Sequence, residues 1–296
     1  MLAGDAVAAA YRDACLAELV ALKPGNVHVF AGGHDMTTAD FEASAEASAP
    51  ALGVPALSVG DRIFEAILRT RETVGCNTNL GIVLLCAPLA QAALSSGGGS
   101  LRERLRDVLR RLDVADAERA FAAIRLADPG GLGAAPQHDV RAPPTVSLAV
   151  AMAAAADRDR IAAQYASGFA DIFEFGLPRL RTGLTRWRSE RWAATSAYLA
   201  FLARLPDSHV ARKYGMERAQ AVCAMARPYA ERLDEAKDPE PLTPSLLAFD
   251  RELKAAGINP GTSADLTVAC LFTYRIEIGE GRADKSPLSP CGRGTG

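Results

Sequence analysis

The sequence predicts an all-α fold: one multi-helix globular domain with ligand-binding loops between its helices. Three observations predict it. Apolar residues recur at helical spacing along most of the chain. Strand-type alternation is nearly missing. Short polar islands built on glycine break the pattern where helices should end. With 296 residues, 49% of them hydrophobic, the chain can bury a large core. The domain is expected to span 1–278. From 279 to 296 Pro, Ser, Gly and charge replace the apolar period, which predicts a disordered tail.

In chain order, Leu16, Leu19 and Val20 give the first helix an apolar face, and Pro24-Gly25 is expected to stop it. Thr37 or Thr38 caps a second helix carrying Phe41. Ser58 and Asp61 resemble a capping box, and Ile63, Phe64, Ile67 and Leu68 behind them share one face. Leu101, Leu105, Val108, Leu109 and Leu112 form another stripe, with the intervening arginines on a solvated face. Asp128-Pro129-Gly130-Gly131 breaks the chain ahead of an irregular stretch ending at Pro143-Pro144. Thr243-Pro244 reads as an N-cap with proline at the first helical position, and Gly257 as the residue just past that helix. Ser263-Ala264-Asp265 then falls in the first turn of the last helix.

Charge is balanced, 33 basic against 35 acidic side chains for a net −2, and no basic patch dominates. That speaks against nucleic acid or an anionic membrane as partner. The longest apolar stretches, 82–94 and 145–156, are too short to cross a bilayer. The N-terminus lacks the cationic and apolar regions of a signal peptide, so a cytoplasmic chain is expected. The six cysteines contain no CxxC pair and read as buried thiols of a reducing compartment. A homo-oligomer stays open.

The islands hold the candidate functional residues. The first is Lys23-Pro24-Gly25-Asn26 with His34-Asp35, the second Gly75-Cys76-Asn77-Thr78-Asn79-Leu80-Gly81, the third Asn259-Pro260-Gly261-Thr262-Ser263-Ala264-Asp265. Helical packing gives no reason to gather such polar groups around glycine, whereas ligand binding does. Each also has a local reading. Lys23-Pro24-Gly25 could end a helix, Asn77-Thr78-Asn79 could be an N-cap, and Asp265 an acidic first-turn residue. His34-Asp35 admits a metal reading, although the four histidines show no i, i+4 partner for His34. Walker A, GxGxxG and GxSxG motifs are absent.

Taken in order, the islands resemble the triphosphoribosyl-dephospho-CoA synthase family from about Ala14 to Tyr274. Lys23-Pro24-Gly25 and Gly33-His34-Asp35-Met36 are similar to its lysine-proline-glycine and glycine-x-His-x-Asp-Met segments, one residue shorter here. Gly75-Cys76-Asn77-Thr78 is similar to glycine-x-Asn-Thr. Asp207-Ser208-His209-Val210 is a looser likeness of Asp-Thr-Asn-Val, and Gly257 to Leu266 a close one of Gly-Ile-x-Pro-Gly-x-Ser-Ala-Asp-Leu. Two departures stand out. Leu80 replaces a basic residue of the family, and Gly131-Leu132-Gly133 through Arg141 replaces its Arg-Gly-Glu-Ala stretch.

The resemblance implies an all-α transferase that moves the 5-triphosphoribosyl group of ATP to dephospho-CoA and releases adenine, with Mg2+ as cofactor. It implies catalytic roles for His34, Asp35 and Asp265, the two aspartates also meeting Mg2+. Lys23, Gly25, Asn26, Asn77, Thr78, Gly81, Arg212, Gly261 and Ser263 are the implied nucleotide and phosphate contacts, with Lys23 and Arg212 on phosphate; whether Arg141, Arg212 or another cation replaces the one lost at Leu80 stays open. The alternatives are an ATP-dependent transferase with another acceptor, for instance in pterin-linked one-carbon cofactor metabolism, an all-α metal phosphohydrolase, or a nucleotide-binding module without catalysis.

Overall fold

The computed structural model describes residues 2–33 and 36–283. Among them lie fourteen α-helices and no strand. The expected all-α class holds.

The first helices form the scaffold. α1 (Gly4–Leu19), α2 (Thr38–Gly53), α3 (Val59–Val74) and α4 (Leu80–Leu94) pack side by side. α4 is buried on nearly every side, as its almost unbroken apolar sequence requires, and α14 (Gly261–Ala283) runs against it. α5 (Leu101–Arg111) and α6 (Val114–Ala127) close one flank. After an irregular loop over 128–147 come α7 (Leu148–Ala155) and α8 (Arg160–Ser167), then a π-helical turn at Asp171–Gly176 leading into α9 (Leu177–Trp187). α10 (Glu190–Arg204), α11 (Ser208–Tyr214), α12 (Met216–Glu235) and α13 (Thr243–Ala255) build a second, smaller core around Trp192, Tyr198, Val222 and Phe249. No described helix is long and apolar enough to cross a membrane.

Several sequence signals act as expected. The Thr37 side chain caps α2 and Asp40 answers it, completing a capping box. Ser58 caps α3, but the Asp61 carboxylate takes the Ser58 hydroxyl and Arg119 instead of the cap backbone. Gly257, at φ +69°, closes α13 with Ile258 N–H bonded to Leu253 O and Gly257 N–H to Lys254 O, the paired bonds of a Schellman motif. The α5 stripe is buried throughout.

Other expectations are corrected. α1 ends at Leu19, before Pro24-Gly25, and Val20 is 40% exposed. Lys23-Pro24-Gly25-Asn26 is a separate turn: Asn26 N–H bonds Lys23 O, proline occupies the second position, and Gly25 at φ +86° the third. Those are the requirements of a type II turn. A Cβ on Gly25 would also sit 2.8 Å from Pro260 Cδ. A 3-10 turn at Glu240–Leu242 precedes α13, so Thr243 is its first helical residue instead of its cap. Arg104 leaves the solvated face of α5 and is buried on Ala92 O, Gly99 O and Glu280. α14 continues through Gly279 to Ala283, and the rest of the expected tail, with Cys291, lies outside the described residues. The other five cysteines are free thiols.

The polar feature that periodicity does not announce is Arg62. It is fully buried on α3 and donates to Ala51 O, Leu52 O, Val54 O, Leu57 O and Gln91 Oε1, satisfying carbonyls at the end of α2. Burial pushes its pKa down to about 10. Arg62→Met keeps the volume and strands these acceptors. Urea unfolding is expected to show a loss of about 3 kcal/mol, since each buried acceptor left unpaired costs about 1–3 kcal/mol.

Candidate active site

A cavity of about 460 Å³ opens where helix starts converge. The N-terminal ends of α4, α8 and α14 meet there, brought together by side chains instead of by apolar contact alone. Asp207 Oδ1 accepts from the backbone of His209 and Val210 at the start of α11, and its Oδ2 accepts from the backbone and hydroxyl of Ser263 in α14. Ser208 Oγ takes the Arg160 N–H of α8 and lies 3.0 Å from Thr262 Oγ1. Helix N-termini carry partial positive charge, so their convergence favours an anion.

The second island shapes one wall. Asn77 Oδ1 accepts from Leu80 N–H at 3.1 Å, which caps α4 and leaves its Nδ2 as a donor. Thr78 donates its hydroxyl to Ser44 Oγ at 2.6 Å, so toward the cavity it can only accept. Asn79 turns its Nδ2 to Ser48 and Thr70. Gly81 has a direct steric reason. A Cβ there would overlap Asp265 Oδ2 and sit 2.6 Å from Ile161 Cδ1. α4 thus lacks a side chain where α14 projects its carboxylate.

Asp265 lines the cavity from α14 but sits just past the first turn where it was expected, because the helix already starts at Gly261. Burial raises its pKa well above the carboxylate range, with Asp207, Glu18 and Asp159 adding to the rise and Arg212 opposing it. Arg212 lines the cavity and donates to Asp159 Oδ2 at 3.0 Å. Gly261 also lines the cavity, but a Cβ on it would come 2.6 Å from His209 Nδ1, so its smallness serves the imidazole.

Of the residues selected from sequence, Asn77, Thr78, Gly81, Arg212, Gly261 and Asp265 line this cavity. Lys23, Gly25, Asn26 and Ser263 do not. Lys23 is 1% exposed, ion-paired with Glu18 and bonded to Asn26 Oδ1. Gly25 N–H is held by Asp250 Oδ1 at 2.8 Å, and Ser263 is spent on Asp207. These four support the site from behind. His34 and Asp35 lie outside the described residues. Among the described residues no group of three or more His, Cys, Asp or Glu side chains could hold a metal. Arg141 is paired with Asp139 and lies off the cavity, whereas Arg158 and Arg212 line it.

Sequence reading missed Asp159, His209 and Asn259, all on the cavity. Asp159 is the N-cap of α8, accepting from Ile161 and Ala162 N–H. His209 and Asn259 stood inside quoted motifs, at positions where the pattern was loose or open. The apolar end of the cavity, with Leu84, Phe121, Ile124 and Met152, carries no polar signal and is visible only in three dimensions. Gly81→Ala tests the contact with Asp265. Helix propensity alone favours alanine by about 1 kcal/mol. The overlap with Asp265 Oδ2 and Ile161 Cδ1 should outweigh that gain, so the melting temperature of Gly81→Ala is expected to fall below that of wild type.

A family model for ATP:dephospho-CoA triphosphoribosyl transferase matches residues 4–283. A Pseudomonas savastanoi protein named a 2-(5''-triphosphoribosyl)-3'-dephosphocoenzyme-A synthase is 31% identical over 124 residues, 42% of each chain. A Stutzerimonas stutzeri protein of the same name is 28% identical over 206 residues, covering 70% of this chain and 63% of the relative. These matches span less than two thirds of the relatives' length. An Archaeoglobus fulgidus crystal structure carrying the name triphosphoribosyl-dephospho-CoA synthase superposes with a TM-score of 0.58 at 25% identity, over 81% of this chain and 98% of that one. The chain belongs to the ATP:dephospho-CoA triphosphoribosyl transferase family.

Proposed function

We propose that the protein transfers the 5-triphosphoribosyl group of ATP to a hydroxyl of dephospho-CoA and releases adenine. The observation that carries this reading is the pairing, in one cavity, of helix N-termini and Arg212 with the buried carboxylate of Asp265. The first set suits a polyanion, the second a developing cation. In the transfer the bond from ribose C1 to the base nitrogen breaks and its electron pair leaves with adenine, which takes up a proton. The acceptor oxygen bonds C1 and gives up its own proton. A positively charged, oxocarbenium-like C1 forms between the two events, by analogy with other glycosyl transfers. Asp265 would face that charge, and its value is greatest in a dry site where ionised groups are poorly solvated. Arg212, Arg158 and the Asn77 amide would hold the triphosphate. Thr78, able only to accept, suits a ribose hydroxyl.

Mg2+ fits this donor set as an ion carried by the triphosphate. Asp265 is a buried carboxylate on the cavity with no ion pair among the described residues, a charge that a divalent cation would offset. Such an ion typically needs only one or two protein carboxylates besides phosphate oxygens. When bound it would neutralise phosphate charge. Asp265, with Asp35 as the sequence expectation, would be its protein ligand.

A second reading keeps the donor and changes the acceptor. It is favoured by the 128–147 loop, which lines the cavity with Leu132, His138 and Val140 where the family carries Arg-Gly-Glu-Ala. Adenine release, followed by mass spectrometry with ATP, Mg2+ and dephospho-CoA and with each omitted, tests both. Release that depends on dephospho-CoA, with a matching adduct, is the expected result. ATP binding without release would overturn the first reading and direct the search to other acceptors.

Asp265→Asn should lower turnover about a hundredfold or more, as loss of a preorganised electrostatic group does. Its stability should change in the opposite sense. Because the folded pKa of Asp265 lies above its unfolded value, the wild type loses stability as pH rises from about 3.8 through the raised folded value. The asparagine variant lacks that loss, so near neutrality its melting temperature should match or exceed that of wild type. A fall in melting temperature, or full activity, would sink the assignment.

A further inference from the structure

We propose that Asn259 is a ligand contact of fixed polarity: the buried row Glu18–Lys23–Asn26 turns its amide so that Nδ2 donates to a phosphate oxygen of the nucleotide. The inference rests on the nucleotide-binding reading above. Its starting point is the ion pair of Lys23 with Glu18, both nearly inaccessible, at 1% and 4% exposure. A charged lysine only donates, so the Asn26 atom 3.0 Å from Lys23 Nζ must be the amide oxygen. Asn26 is itself buried, and its remaining amide group, Nδ2, lies 2.8 Å from Asn259. Nδ2 can only donate, hence Asn259 answers with Oδ1. One group is left on Asn259, its own Nδ2, and Asn259, like Arg212, lines the cavity, just ahead of the α14 N-terminus.

The polarity of the row follows from the lysine alone. It does not depend on which way either amide is drawn, because reversing one would set donor against donor. Lys23 and Asn26 are thereby positioning residues. They do not reach the cavity, yet they decide what Asn259 presents to it. The turn that carries them is pinned independently. Tyr198 Oη donates to Pro24 O at 2.7 Å, and Asp250 holds Gly25 N–H while also accepting from Lys254, which donates to Ala31 O. The turn end of the row is therefore anchored. A phosphate oxygen is the acceptor such a donor suits, at a helix start where the local field already favours negative charge.

Changing one atom tests the idea. Asn26→Asp keeps the shape and still satisfies Lys23, but it offers Asn259 an oxygen where it had an N–H. Asn259 must then turn its Nδ2 inward and present its carbonyl to the phosphates. Calorimetric titration with ATP and Mg2+ should show about tenfold weaker binding for Asn26→Asp, and about tenfold for Asn259→Ala, the size of one lost hydrogen bond to a charged group. In the Asn26→Asp background, Asn259→Ala should cost nothing more. Asn26→Asp adds a second buried carboxylate beside Glu18, so its melting temperature should fall and binding is read well below its unfolding transition.

Additive losses would mean that the new charge acts at a distance and would overturn the proposal. So would unchanged binding in Asn259→Ala or in Asn26→Asp. Adenine release by the wild type is measured alongside. Binding without release overturns the transferase reading and leaves the row to be judged by the titrations, while a wild type that binds no ATP overturns both.

Discussion

The Asp207 carboxylate is the interaction on which the site depends. Helix starts repel one another electrostatically when brought together, and their first N–H groups lack intrahelical acceptors. Asp207 answers both problems. It gives one oxygen to the start of α11 and the other to α14, four donors in all. Burial raises its pKa while the bonds from Ser263, Val210 and His209 oppose the rise. With Ser208 and Thr262 tying in α8, the convergence becomes a rigid rim, and the cavity behind it follows.

Carboxylates accumulate around that rim as a consequence. Burial raises the pKa of Asp265, Asp207, Glu18 and Asp159 add to the rise, and among the described residues Asp265 has no ion-pair partner. Glu18 is neutralised locally by Lys23, and Asp159 by Arg212. Asp265 is left as the group whose charge the fold tolerates poorly, as its raised pKa records. Gly81 then makes sense as the residue that lets α4 approach it.

The Lys23-Pro24-Gly25-Asn26 turn joins the site to the second core. Asp250 reaches from α13 to Gly25 N–H, lies 3.2 Å from His28 Nε2 and accepts from Lys254. Burial alone would raise the Asp250 pKa, yet His28, Gly25 N–H and Lys254 hold it below its ordinary value. Motif residues that look like ligands in the sequence are here the second layer that orients the first. A lysine next to proline and glycine reads as a phosphate contact, and only its burial against Glu18 reveals the other role.

Local chemistry was legible in the sequence. Thr37 and Ser58 cap, Gly257 closes α13, and the α5 stripe packs, because each depends on residues within one or two turns. Gly81, Gly261 and Asp265 stood in the quoted motifs and line the cavity, whereas Gly25 serves a turn. The tertiary structure alone decided which polar groups meet the cavity. Lys23 and Ser263 face inward to Glu18 and Asp207, while Asp159, His209 and Asn259 face the cavity. Burial of Arg62 and Arg104, and the early end of α1, were likewise invisible to periodicity. The physical reason is the same throughout. Periodicity and capping are set by neighbours in the chain, whereas the direction a polar side chain takes is set by the partner that satisfies it, and these partners lie on other helices.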